Sequence, residues 1–164
     1  MQTSATGGAL GWLETSVMGA TMRESLWMYP IVEIFHIIGF SVLVGSIVMF
    51  DLRILGLSKD IPVTAMARHL LRWSVLSLLF VIPAGIMMFA AHPGDFIANK
   101  IFLLKLTLIA LAGTNAVLFH LGVYRRVTSW NTLVTAPKLA RVQALLSLVI
   151  WIAVISCGRL LAYT

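Results

Sequence analysis

The sequence predicts an all-α integral membrane protein: a four-helix bundle preceded by a short interfacial helix, with both termini on the non-cytoplasmic side. Three observations predict it. Four stretches, residues 26–50, 70–91, 101–122 and 142–161, are almost wholly apolar, and each has the roughly 20 residues that a helix needs to cross a hydrocarbon core. Of the 164 residues, 60% are hydrophobic and 11% charged, against about 25% charged in soluble domains, so no charged shell exists to face water. Eight of the twelve Lys and Arg residues fall on one side of the spans, which sets orientation.

Residues 1–25 read as an interfacial N-terminal segment and residues 26–164 as the four-span domain. Residues 1–9 have neither a basic residue nor an apolar core, so no secretory signal is expected there and the first span directs insertion. Leu10, Leu13, Val17 and Met18 then recur at helical spacing, with Trp12 and Trp27 as interfacial anchors, the pattern of a helix lying on a membrane surface.

Pro30 fits the opening turn of the first span, where a missing N–H costs nothing, or a kink at its entry. The loop that follows carries Arg53, Lys59 and Arg68, with Arg72 just inside the second span. Asp51 and Arg53 read as a local polar cap. Pro83 lies mid-span and is expected to bend the second helix, which neighbouring helices make tolerable in a membrane. The loop after the third span holds Arg125, Arg126, Lys138 and Arg141, while the opposite side has only Arg23, Lys100, Lys105 and Arg159. The two basic loops are therefore placed in the cytoplasm. Short loops predict that consecutive spans pack as antiparallel neighbours. Gly39, Gly45, Ala110, Ala112 and Gly113 offer small surfaces for close approach, and Thr114 and Asn115 offer interhelical hydrogen bonds.

Several chemistries are excluded. The net charge of +6 sits in loops where orientation explains it, without the interleaved aromatics of a nucleic-acid platform. The single cysteine, Cys157, rules out a disulfide framework or cysteine-based zinc site and reads as a small lipid-facing or packing residue. Glycine-rich phosphate loops, nucleophile elbows and His-Glu-x-x-His motifs are absent from the sequence.

Ionisable residues inside spans are costly and mark partners or function. Glu33, Lys105 and Arg159 fall at similar depth on three helices and are expected to form a buried charge cluster. Its spare positive charge is available to an anionic group of a cofactor. Glu33 and His36 share a helix face at three-residue spacing, but no second span repeats the motif as a di-metal bundle requires. The four histidines sort by depth into His36 with His92 on the outer side and His69 with His120 on the inner side. His36 and His120 differ by about 13 residues of depth, roughly 20 Å, and do not share a metal.

Histidine pairs on facing helices suit b-type haem ligation, with Met88 as the alternative to His92, and with Lys105 and Arg159 holding propionates. This reading makes the protein an electron carrier in the inner membrane, working with a membrane or periplasmic redox partner. Copper handling is the alternative. It would use His36 and His92 with the outer methionines Met18, Met22, Met28, Met87 and Met88, since thioether and imidazole suit Cu(I); methionine is also an ordinary filler of apolar space. A non-catalytic accessory subunit is the third reading. None of these assigns an independent hydrolytic or transferase activity.

The run from Arg23 through Glu33 and His36 to Gly39 resembles an uncharacterised family of small bacterial four-helix membrane proteins. So do Gly45 to Gly56 with Asp51 and Arg53, Asn115 to His120 with Tyr124 to Arg126, and the closing Gly158 to Tyr163. The resemblance implies a bacterial inner-membrane location and carries no activity. The helix-borne histidines are more remotely similar to those of the copper-resistance D family.

Orientation is checked by single-cysteine labelling from each side of the membrane. Asp60→Cys is expected to label from the cytoplasm and Asp95→Cys from outside; the reverse pattern would invert the topology.

Overall fold

The structure, a computed structural model, describes residues 8–163; the residues 1–7 read above as lacking a secretory signal lie outside the described residues. Seven α-helices run in the order α1 (Ala9–Thr15), α2 (Val17–Glu24), α3 (Met28–Leu55), α4 (Val63–Ala91), α5 (Pro93–Ala98), α6 (Lys100–Leu121) and α7 (Lys138–Leu160). A 3₁₀ segment, Val123–Trp130, follows α6, and a short one, Leu161–Tyr163, closes the chain. Helices α3, α4, α6 and α7 are long and apolar enough to cross a membrane, and together they make an all-α membrane helix bundle. The ends near the termini are here called the terminal face, and the ends joined by the basic loops the loop face.

The helices overrun the apolar stretches that announce them. α3 continues past residue 50, and α4 begins seven residues ahead of residue 70. Apolar run length records the hydrocarbon crossing, whereas the ends of a helix are fixed by caps. α3 stops at Gly56, whose φ of +119° suits glycine. There the amides of Gly56 and Leu57 both return to the Leu52 carbonyl at 3.1 Å. α6 starts at Asn99, whose Oδ1 accepts from the Ile101 amide at 2.9 Å. α4 runs unbroken through Pro83.

The N-terminal segment is two short helices rather than one. Ser16 separates them, its hydroxyl donating to the Leu13 carbonyl (2.6 Å) and accepting from the Gly19 amide (3.1 Å). α2 lies across the terminal-face end of α4. Met22 is buried there with Val32, Ala84 and Ala91, and Arg23 donates to the carbonyls of Ala91 (2.9 Å) and Glu14 (2.7 Å). Val17, placed by spacing on the apolar face, points outward, as do Trp12 and Trp27.

The bundle is built from two helix pairs. α3 lies along α4, α7 lies along α6, and α3 also packs on α7. Gly39 makes the first contact close: a Cβ there would stand 3.0 Å from Val81 Cγ2 and 3.3 Å from the Ser77 carbonyl oxygen. By contrast, a side chain at Gly45 or Gly113 would meet nothing within 4 Å. The expectation that all consecutive spans are close neighbours fails for α4 and α6, which share no extensive packing. The rings of Phe89, Phe96 and Phe102 explain it. They stack between the two helices at the terminal face, with centroids 5.0 to 6.1 Å apart, so side chains rather than backbones meet there.

The loop face is closed by a core of Phe50, Ile54, Val63, Ala67, Phe119, Val127, Trp130, Ala136 and Ala140. Arg53, 2% exposed, organises it. Its Nε donates to the Ile61 carbonyl (2.7 Å), and its Nη2 donates to those of Lys59 (3.1 Å) and Asn131 (3.0 Å). Asn131 in turn receives the Val63 amide on its carbonyl and the Thr64 amide on Oδ1, each at 3.0 Å. The reading of Asp51 and Arg53 as one local cap is corrected here. Two residues apart on a helix, they face different ways, and Asp51 turns inward to the cavity wall that it shares with Ser147 of α7.

Arg53→Met is expected to destabilise the bundle by about 3 kcal/mol, since charge-assisted hydrogen bonds contribute about 1.5–3 kcal/mol each. Arg53→Lys should recover less than half of that, because a single ammonium lacks the fork that reaches several carbonyls. Thermal unfolding in detergent measures both; a Lys variant as stable as the native protein would show that the fork is not needed.

Candidate functional site

Between the two helix pairs lies a cavity of about 560 Å³, within the size range of small-molecule and cofactor sites. All four spans contribute to its wall. Most of the lining is apolar, with Phe40, Phe89, Phe96, Phe102, Phe119 and Trp151 supplying aromatic surface. Its polar groups divide by depth: His36 and Lys105 lie toward the terminal face, whereas Asp51, Asn115, His120, Gln143 and Ser147 lie toward the loop face.

His36 is held by α4. Its Nδ1 lies 3.0 Å from the Val81 carbonyl oxygen, and a carbonyl can only accept, so Nδ1 carries the proton and Nε2 keeps a free lone pair. Gly85, one turn beyond Val81, gives the ring room: a Cβ there would stand 3.3 Å from His36 Cε1. Phe40 lies one turn along α3 with its ring nearly parallel, interplanar angle 7° and centroid 6.4 Å away. The imidazole is thus fixed in tautomer and orientation. Lys105, half-buried on α6, makes no hydrogen bond or ion pair among the described residues.

The other sequence-derived residues distribute as follows. Met88 lines the cavity, although it also packs with Met22, Met28 and Met87 in the apolar cluster under α2. His120 lines the opposite end, its Nδ1 2.8 Å from the Ala116 carbonyl oxygen and its ring against Phe119 and Tyr124. His69 is exposed on α4 and away from the cavity wall. His92 is exposed at the break between α4 and α5, 3.9 Å from Asp95 Oδ2. That is the single approach of a basic side chain to a carboxylate at salt-bridge distance among the described residues, an ion pair only when His92 is protonated. No group of three His, Cys, Asp or Glu residues converges among them to hold a metal ion.

The expected charge cluster of Glu33, Lys105 and Arg159 is not assembled. Glu33 is exposed on the outside of α3. Arg159 turns to its own chain end, donating to Tyr163 Oη at 2.6 Å and lying 4.9 Å above that ring. Equal depth on three helices does not fix which way each residue points, and here only Lys105 faces inward.

A family model covers residues 9–164, nearly the whole chain. The chain belongs to the family of unknown function DUF6644. No curated protein and no solved structure matches it. Family membership therefore assigns no activity, and functional argument rests on the cavity.

Sequence reasoning missed Gly85, Gln143 and Ser147, and gave Asp51 a different role. Gln143 and Ser147 stand four residues apart in the otherwise apolar run 142–155, a spacing that puts both on one face and was the available signal. Since Glu33 and Lys105 are not paired, the stability effects of Glu33→Gln and Lys105→Met should be additive within about 0.5 kcal/mol. A coupling above about 1 kcal/mol in the double variant would restore the ion pair.

Proposed function

We propose that this protein is a bacterial inner-membrane b-type haem protein that moves electrons within or across the membrane, with His36 as axial ligand through Nε2. The observation that carries the reading is the His36–Val81 hydrogen bond inside a large apolar cavity. Metal-ligating histidines characteristically donate their other ring N–H to a carbonyl or carboxylate, which fixes the tautomer and raises ligand basicity. Haem supplies one-electron chemistry when bound, and its macrocycle suits an aromatic, largely apolar wall.

Lys105 supports the same reading. A cation in an apolar span is expensive, and one without an anionic partner has room for a propionate. Met88 is the further thioether on the wall, of the kind that serves as a haem axial ligand. The proposal is for one haem in the terminal half of the cavity, because His69 and His92 lie off the wall. With the basic loops in the cytoplasm, that half faces the outside, and a membrane or periplasmic protein would be the redox partner. Copper handling has less behind it, since soft donors other than Met88 do not gather around His36.

The absorption spectrum of detergent-purified protein from haem-sufficient cells tests the reading. A Soret band that sharpens on reduction, with about one haem per chain, is expected. His36→Ala should abolish it, Lys105→Met should lower haem retention, and His69→Ala and His92→Ala should leave it unchanged. Colourless protein that also takes up no added hemin would overturn the proposal, and bound copper in that protein would favour the alternative. Full haem content in His36→Ala would overturn the ligand assignment.

A further inference from the structure

The loop-face half of the cavity has a chemistry of its own. Asp51 is only 7% exposed, yet its Oδ2 has no hydrogen-bond partner among the described residues. Ser147 of α7 lines the same end, and Gln143, one turn away on α7, has a buried Oε1 likewise without a partner among the described residues. Two of the donors nearby are already committed. Asn115 Nδ2 donates to the Gln143 carbonyl at 3.0 Å, and His120 directs Nδ1 at the Ala116 carbonyl at 2.8 Å, which leaves its Nε2 an acceptor. Orphaned acceptors therefore gather at one end of an apolar, aromatic-walled space.

A ligand that matches this end must bring hydrogen-bond donors and be apolar elsewhere. It must also be able to arrive from the bilayer, because below the phenylalanine wedge α4 and α6 are not closed against each other. A bare cation fits less well, since hard cations take six or more oxygen ligands and one carboxylate stands here. We propose that this end binds a lipid-soluble quinol, an aromatic ring whose two hydroxyls donate to Asp51 Oδ2 and Gln143 Oε1. The edge-to-face pair Phe50 and Phe119, centroids 5.8 Å apart, flanks the ring's place on the cavity wall. The tail of the quinol leaves between α4 and α6. This site goes beyond the haem reading and stands without it.

Anaerobic binding of a decyl-substituted benzoquinol and of the matching benzoquinone to the unmodified protein in detergent tests the proposal. The quinone offers acceptors only, so the quinol is expected to bind about tenfold tighter or more. Asp51→Asn and Gln143→Leu should each weaken quinol binding and narrow that ratio, with helix content unchanged. Equal binding of quinol and quinone, or no binding of either, would overturn the proposal. So would stabilisation of the protein by sodium ion with indifference to the quinol, which would mark a cation site. A colourless protein that takes up no added hemin and prefers the quinol would sink the haem reading and keep this one; a haem-loaded protein indifferent to the quinol would do the opposite.

Discussion

Three backbone carbonyls from two separate loops converge on the Arg53 guanidinium, and the rest of the bundle depends on that convergence. Lys59 and Ile61 belong to the connection between α3 and α4, and Asn131 to the one between α6 and α7. The same Asn131 holds the first two amides of α4. One side chain thus ties the two helix pairs together at the loop face, where the largest cluster of buried apolar residues also lies. Because the pairs are fastened there, packed through α3 and α7, and wedged by phenylalanine rings at the terminal face, α4 and α6 need not close against each other along their length. The cavity is what remains between them.

That cavity is electrically lopsided. Its terminal half has the oriented His36 imidazole and, in Lys105, an ammonium without a partner among the described residues; its loop half has two buried acceptors, Asp51 Oδ2 and Gln143 Oε1, likewise without partners among them. In an apolar medium such groups are retained at a cost, and the two ends of the cavity differ in chemistry, which is why a separate ligand is proposed for each. The immobilised His36 is the more specific of the two signals, since its tautomer follows from a single 3.0 Å contact to a carbonyl and its place beside α4 from the missing side chain at Gly85.

The spans were legible in the sequence because crossing a bilayer is a matter of composition and length. Helix termini were not, because Gly56 and Asn99 act through local geometry that hydropathy does not register. Depth was also legible: His36 and Lys105 do lie at one level, and Asp51 and His120 at the other. Facing was not. Glu33 and Arg159 share the depth of Lys105 but point outward, and His92 sits in a helix break above the cavity. A uniformly apolar helix in lipid has no polar face to reveal which side its neighbours take, so rotation about the axis is set by packing features such as Gly39 against α4. Loop length likewise left α4 and α6 undecided, and the rings of Phe89, Phe96 and Phe102 keep their backbones apart.

The central claim is that α4 and α6 stand apart around a ligand-sized space. Cysteine cross-linking in membranes, on a Cys157→Ser background, measures it most directly. Ile82 and Ile109 line the cavity from the two helices at matching depth, whereas Asn115 contacts the Gln143 backbone at 3.0 Å across the α6–α7 contact. Iodine oxidation should join Asn115→Cys to Gln143→Cys and leave Ile82→Cys and Ile109→Cys unjoined, while a long bis-maleimide should bridge the second pair. A rapid disulfide between positions 82 and 109 would mean that the helices touch and that no such cavity exists.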